Sequence, residues 1–161
     1  MSIFFNPDEV FEMAEQIEKN GARFYRQAAQ GAQGVKIGEL LQSLAAMEDE
    51  HGKLFAKMRA NLKKEEIEFN ADEQASLYLK AWADGHAFDM KSDPVRRIKD
   101  QKNMQGILKV AIELEKESIA FYLGIKNGVN KKAYRDRIEE IIKEEMNHIV
   151  SLSVKLSSLK K

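Results

Sequence analysis

Cysteine is absent from the 161 residues. That excludes disulfides and every thiolate-ligated site, including a rubredoxin-type iron centre within the same residues, and it fits a reducing compartment. Any redox chemistry must therefore draw electrons from outside. Proline is scarce as well, with only Pro7 and Pro94, so long helices can run uninterrupted. Neither sign of charge is in excess: 26 Lys and Arg face 26 Asp and Glu. The electrostatic footprint of a nucleic-acid or anionic-membrane binder is missing. No apolar run approaches a bilayer span, and the opening MSIFFNPDEV lacks the basic start and apolar stretch of a signal peptide. The expected location is the cytoplasm, and the length suits a single domain over 1–161.

What is present has a helical period. Apolar residues recur at steps of three and four rather than two. The first long helix is expected over 7–30. Asn6 suits its N-cap, Pro7 its first turn and Glu9 the reciprocal capping position, while Gly31 and Gly34 close it. The second is expected over 35–62, with Leu41, Leu44, Phe55 and Met58 in one stripe. The third should start near Asn103 and stop before Gly128. The fourth should follow a short KNGVN turn and carry Ile138, Ile141, Leu152 and Leu156. Residues 62–102 then form a crossover with one short amphipathic helix in ASLYLKAWADGHAF. A connection that long can run the height of a bundle and set the second and third long helices parallel. The expected class is all-α, a four-helix bundle with one long crossover.

A shift of 97 residues superimposes the first hairpin on the second without a gap. Glu18, Lys19, Phe24, Tyr25, Gly31, Glu48 and His51 fall on Glu115, Lys116, Phe121, Tyr122, Gly128, Glu145 and His148. The surviving matches are largely polar, so the repeat preserves a functional pattern on a doubled hairpin.

Position within each helix says where these side chains point. The second helix reads Leu41, Leu44, Glu48, His51, Phe55, Met58, which puts a glutamate and a histidine in core positions. Glu145 and His148 repeat this between Ile141 and Leu152; Glu18 follows Ala14, and Glu115 follows Ala111, in the same phase. The midpoint of 18 and 48 is 33, and that of 115 and 145 is 130; both fall in turns, so each hairpin brings its glutamates level. Four ionised carboxylates in a bundle centre would each cost several kcal/mol if left uncompensated. Two divalent cations balance four such charges, and neutral imidazoles complete the coordination. That donor set suits iron first and manganese second, since structural zinc favours thiolates.

Glu18 with Tyr25, Glu48 with His51, Glu115 with Tyr122 and Glu145 with His148 resemble the pattern of the ferritin-like di-iron proteins, above all rubrerythrins and bacterioferritins. The resemblance covers both hairpins. It implies a ferritin-like bundle in which Glu18, Glu48, His51, Glu115, Glu145 and His148 bind two iron ions. The glutamates of the first and third helices would be terminal or bridging ligands. It also sets Tyr25 and Tyr122 near the metals, where each would either bond a ligand carboxylate or simply pack in the core. Gly21 and Ser118, one turn past Glu18 and Glu115, leave space for a small oxidant or permit closer helix packing. Ser118 stands where rubrerythrins usually have a further glutamate, and Asp49 stands where bacterioferritins have their haem methionine, so no haem is expected.

Such a resemblance implies reduction of hydrogen peroxide or dioxygen at the metal pair. Electrons would come from a separate donor such as a rubredoxin-like protein, and the chain would form a homodimer or larger homo-oligomer. Oxidation and storage of ferrous iron in a cage is the alternative; a metal pair that only stabilises the bundle is the third reading. His86, Glu50, Glu113 and Glu117 fall off the inward stripes and are expected in solvent. Trp82, Tyr78 and Leu79 are expected to cover the bundle or another subunit.

Overall fold

The computed structural model describes residues 5–84 and 95–160. Its helices are α1 (Pro7–Gln30), α2 (Val35–Ala60), α3 (Glu73–Asp84), α4 (Val95–Lys99), α5 (Met104–Gly128) and α6 (Lys132–Leu159). His86, Pro94 and the last residues of the ASLYLKAWADGHAF segment lie outside the described residues. Among those described, no helix is long and apolar enough to cross a membrane.

Local chemistry accounts for the helix ends. The Asn6 side chain accepts from the Glu9 N–H at 2.8 Å, and the Glu9 carboxylate accepts from the Asn6 N–H at 3.1 Å. This closed box satisfies two of the donors that a helix start leaves orphaned. Gly34 precedes α2 with φ at +127°, a conformation that side chains with a Cβ rarely adopt. The second helix stops at Ala60, two residues short of expectation, because the Asn61 N–H turns back to Met58 O and tightens the last turn.

At the other hairpin the departure runs the opposite way. α5 continues through Gly128, so Lys126 and Asn127 are helical rather than part of a turn. The crossover supplies the reason. Phe69 pairs with Val129 as an isolated antiparallel bridge; the Asn70 N–H donates to Gly128 O at 2.7 Å, and the Asn130 N–H to Glu68 O at 3.1 Å. A Cβ at position 128 would stand 2.1 Å from the Phe69 ring, whereas one at Gly31 would meet nothing closer than 3.8 Å. The repeated glycine is thus needed for close approach in the second hairpin and tolerated in the first.

The core divides into two apolar clusters, and their membership gives the helix directions. One gathers the start of α1 (Val10, Phe11), the end of α2 (Phe55, Met58), the end of α5 (Phe121, Ile125) and the start of α6 (Ile138, Ile141). The other gathers the end of α1 (Phe24, Ala28), the start of α2 (Leu41, Leu44), the start of α5 (Leu108, Ala111) and the end of α6 (Leu152, Leu156). α2 and α5 therefore run the same way, as a single-crossover bundle demands. Each fully buried Phe, Leu or Ile adds about 1.5–3 kcal/mol, so the clusters clamp both ends of what lies between them. Tyr78 donates to Ala120 O at 2.5 Å and Trp82 Nε1 to Glu117 O at 3.1 Å, which lays α3 across α5, with Leu79 buried beneath. The short α4, which the sequence pattern did not distinguish, touches α1 and α5.

Candidate metal centre

Between the two clusters lies a belt of buried polar side chains: Glu18 on α1, Glu48 and His51 on α2, Glu115 on α5, and Glu145 and His148 on α6. Each is at most 3% exposed. A spacing of three residues keeps each Glu and His pair on one helix face, and the apolar residues above and below turn that face inward.

The belt resolves into two overlapping groups. Glu18, Glu48, His51 and Glu145 form one, and Glu48, Glu115, Glu145 and His148 the other; in each, one donor atom per residue lies within 4.8 Å of the rest. Glu48 and Glu145 belong to both, so each could serve two cation positions at once. Nδ1 of each histidine faces inward. In His51 it lies 3.2 Å from Glu145 Oε1 and 3.6 Å from Glu18 Oε2; in His148 it lies 3.0 Å from Glu145 Oε2 and 3.2 Å from both Glu48 Oε1 and Glu115 Oε1. The imidazole rings stack at 5.8 Å, 18° from parallel.

The donors fit a metal pair on a further count. Among the described residues, Glu18 Oε2, Glu48 Oε1, Glu115 Oε2, Glu145 Oε2 and His148 Nε2 are buried without a properly oriented hydrogen-bond partner. Buried polar atoms are rarely left this way, because desolvation without a partner costs about 1–3 kcal/mol each and more for charged groups. Four of the five are carboxylate oxygens converging on one centre, and carboxylate oxygen with imidazole nitrogen is a donor set that suits iron.

Protonation shows how the metal-free protein tolerates so much acid. Burial, together with the neighbouring glutamates, holds Glu48 and Glu145 well above the usual carboxylate range. Burial also opposes the charge on Glu115, but bonds to His148 and other neighbours bring it below its ordinary value. Burial opposes charge on the histidines too, yet Glu18 and Glu144 raise His51 to about 9, and Glu115, Glu145 and Glu48 raise His148 to about 12. Without metal, protonated imidazoles would supply part of the positive charge that the buried carboxylates need.

The tyrosines lie beside the belt and cross it. Tyr25 on α1 donates to Glu115 Oε1 on α5, and Tyr122 on α5 donates to Glu18 Oε1 on α1. Burial and adjacent carboxylates raise both phenols well above their usual value, so they stay protonated donors. Gly21 and Ser118 line one small cavity of about 10 Å³ with Ile17, Asn20, Tyr25, Glu48 and Glu115. A Cβ at Gly21 would stand 2.5 Å from Glu48 Oε2. The Ser118 hydroxyl is turned back onto Leu114 O at 3.0 Å.

Glu50 and Glu113 are exposed and bonded to Lys53 and Lys116. Glu117 corrects the expectation of a solvated side chain. It is only 23% exposed, Arg97 stands 3.9 Å away, and burial raises its pKa. The crossover helices, whose packing on α5 is invisible to helix phase, bring Trp82 to its carbonyl and Arg97 to its side chain. Two further residues escaped sequence reasoning. Buried Asn20 accepts from Gln16 at 2.9 Å, and Glu144 accepts from His51 Nε2 at 2.5 Å. Glu144 has Met47 as its counterpart at the 97-residue shift, so a search for repeated polar residues passes over it.

None of the curated proteins compared matches this chain. A solved structure from Thermotoga maritima, assigned to the ferritin-like diiron-carboxylate proteins, superimposes with a TM-score of 0.71 over 95% of each chain at 23% identity, which shows the shared fold. The Rubrerythrin family matches residues 9–153. That match runs from the first turn of α1 into the last turns of α6 and takes in both hairpins and the crossover, and the chain accordingly belongs to the rubrerythrin family.

Proposed function

We propose that this protein is a non-haem di-iron oxidoreductase that reduces hydrogen peroxide or dioxygen with electrons from a separate carrier. The observation that carries the reading is the pair of donor groups sharing Glu48 and Glu145. A di-iron pair bound there supplies the two electrons that cleavage of an oxygen–oxygen bond requires. Glu18, His51, Glu115 and His148 would complete the two positions, with manganese as the other metal the donor set accepts. Tyr25 and Tyr122 fix the carboxylates of Glu115 and Glu18 by donating to one oxygen of each, which leaves the other oxygen aimed inward. Reduction of peroxide to two waters also takes up two protons, and the cavity beside Gly21 and Ser118, about the size of one water, lies against Glu48 and Glu115. Asp49 is paired with Arg26, which supports a reading without haem.

The absence of cysteine leaves no thiolate-bound relay in the chain, so a rubredoxin-like carrier is the expected donor. Met146, Val150 and Val154, exposed at four-residue steps along α6, support self-association into a dimer or larger homo-oligomer. The test is anaerobic reduction of iron-loaded protein followed by rapid mixing with peroxide. The expected result is fast oxidation in a single turnover, with steady-state consumption of a nicotinamide cofactor appearing only when a carrier and its reductase are added. A reduced spectrum unchanged by peroxide and by air would leave only the structural role for the metals.

A further inference from the structure

The two halves of the belt are related by the 97-residue repeat, but the outer edges of their histidines are not alike. His51 Nε2 lies 2.5 Å from Glu144 Oε2, on the next helix over. Among the described residues, His148 Nε2 is buried with no hydrogen-bond partner. The repeat explains the difference. Glu144 immediately precedes Glu145, and the residue that precedes Glu48 is Met47, whose thioether cannot replace a carboxylate as an acceptor.

A histidine that binds a metal through one ring nitrogen must carry its proton on the other. An acceptor for that proton fixes the tautomer, orients the ring and makes the ligating nitrogen more basic. In His51 the acceptor is in place and Nδ1 faces the carboxylates. In His148 Nδ1 also faces them, but the outer N–H has nothing to receive it. Glu144 is half exposed, at 50% of its side chain, so it can supply this bond without the full desolvation cost of another buried charge.

We infer that the two metal positions are inequivalent, that the one served by His51 fills first, and that Glu144 is the positioning residue that makes it so. The inference rests on reading the belt as a two-metal centre. It is tested with cobalt(II), titrated anaerobically into the metal-free full chain and followed by visible absorption and by the hyperfine-shifted imidazole N–H resonances.

Wild-type protein should bind in two resolved steps. At one equivalent a single slowly exchanging imidazole N–H should be seen, that of His51 sheltered by Glu144. Glu144→Ala should weaken the first step by about 10- to 100-fold, the range for loss of an outer partner of a ligating histidine, and should abolish the slowly exchanging resonance. Glu144→Gln, which keeps an acceptor but not the charge, should fall between. Met47→Glu, which offers the second histidine the same partner, should tighten the second step. Circular dichroism of each variant checks that the bundle is folded. Two equivalent steps in wild type, or a first step and resonance unchanged in folded Glu144→Ala, would overturn the inference while leaving the two-metal reading intact. No cobalt bound by wild type would overturn both.

Discussion

Tyr122 on α5 donates its phenolic hydrogen bond to Glu18 on α1, the helix of the other hairpin that packs beside it. Tyr25 reciprocates from α1 to Glu115 on α5. Each phenol therefore ties the carboxylate of one hairpin to the backbone of the other. Tyr25→Phe or Tyr122→Phe should slow the peroxide-driven oxidation by a factor on the order of 10–100. Stopped-flow absorbance at matched iron content measures this. Rates equal to wild type would reduce the tyrosines to core packing.

The sharing of Glu48 and Glu145 between the donor groups predicts an unequal alanine series. Glu48→Ala and Glu145→Ala should lose most binding of both metals. Glu18→Ala and Glu115→Ala should lose one position more than the other, and exposed Glu50→Ala should bind like wild type. Metal analysis after gel filtration decides it, with about two metals per chain expected for the intact site. Equal losses in all five variants would contradict the geometry.

Stability of the metal-free protein should fall as the solution becomes alkaline. His51 and His148 are raised in the folded state from 6.5 to about 9 and about 12, so folding takes up protons. Their contribution is complete below pH 6.5 and is lost as pH rises through about 9 for His51 and then toward about 12 for His148. Glu48 and Glu145, also raised, act in the same sense from about pH 4.5 upward. Glu115, lowered, acts oppositely and loses its contribution in acid. Thermal melts of chelated protein should show Tm declining across pH 6.5 to 9, and bound metal should flatten that decline.

The same protons must leave when metal enters, because a ligating imidazole is neutral. Near pH 7, loading should release about two protons from the histidines, with any held by Glu48 and Glu145 in addition. Calorimetric titration in buffers of different ionisation enthalpy counts them. A heat independent of buffer would show that the histidines do not enter the coordination.

Gly21→Ala should separate stability from binding. Alanine is favoured over glycine inside a helix by about 1 kcal/mol, yet its Cβ would stand 2.5 Å from Glu48 Oε2 and displace that carboxylate. The folded variant should melt no lower than wild type without metal, while its metal affinity drops. Affinity equal to wild type would mean that Glu48 has another productive position.

Much of this architecture is a consequence of local pattern. The steps of three and four around Glu48, His51, Glu145 and His148 direct those side chains inward whatever surrounds the helix. The length of the segment after α2 permits parallel α2 and α5, and the 97-residue repeat singles out the polar belt by comparison of the sequence with itself. Helix boundaries at Asn6 and Pro7 are local for the same reason, because a capping box closes within four residues.

Contacts between distant segments decided the rest. Phe69 against Gly128 sets where α5 ends, over 59 positions of chain, and Trp82 and Arg97 of the crossover meet Glu117, which helix phase alone left in solvent. The tyrosines could have bonded glutamates of their own hairpins; packing of α1 against α5 made the bonds cross. Glu144 was hidden because its role breaks the repeat that revealed its neighbours. Periodicity reports which way a residue faces from its own helix. Which partner waits there, and so which protonation state and which ligand geometry follow, depends on the packing of helices from different parts of the chain.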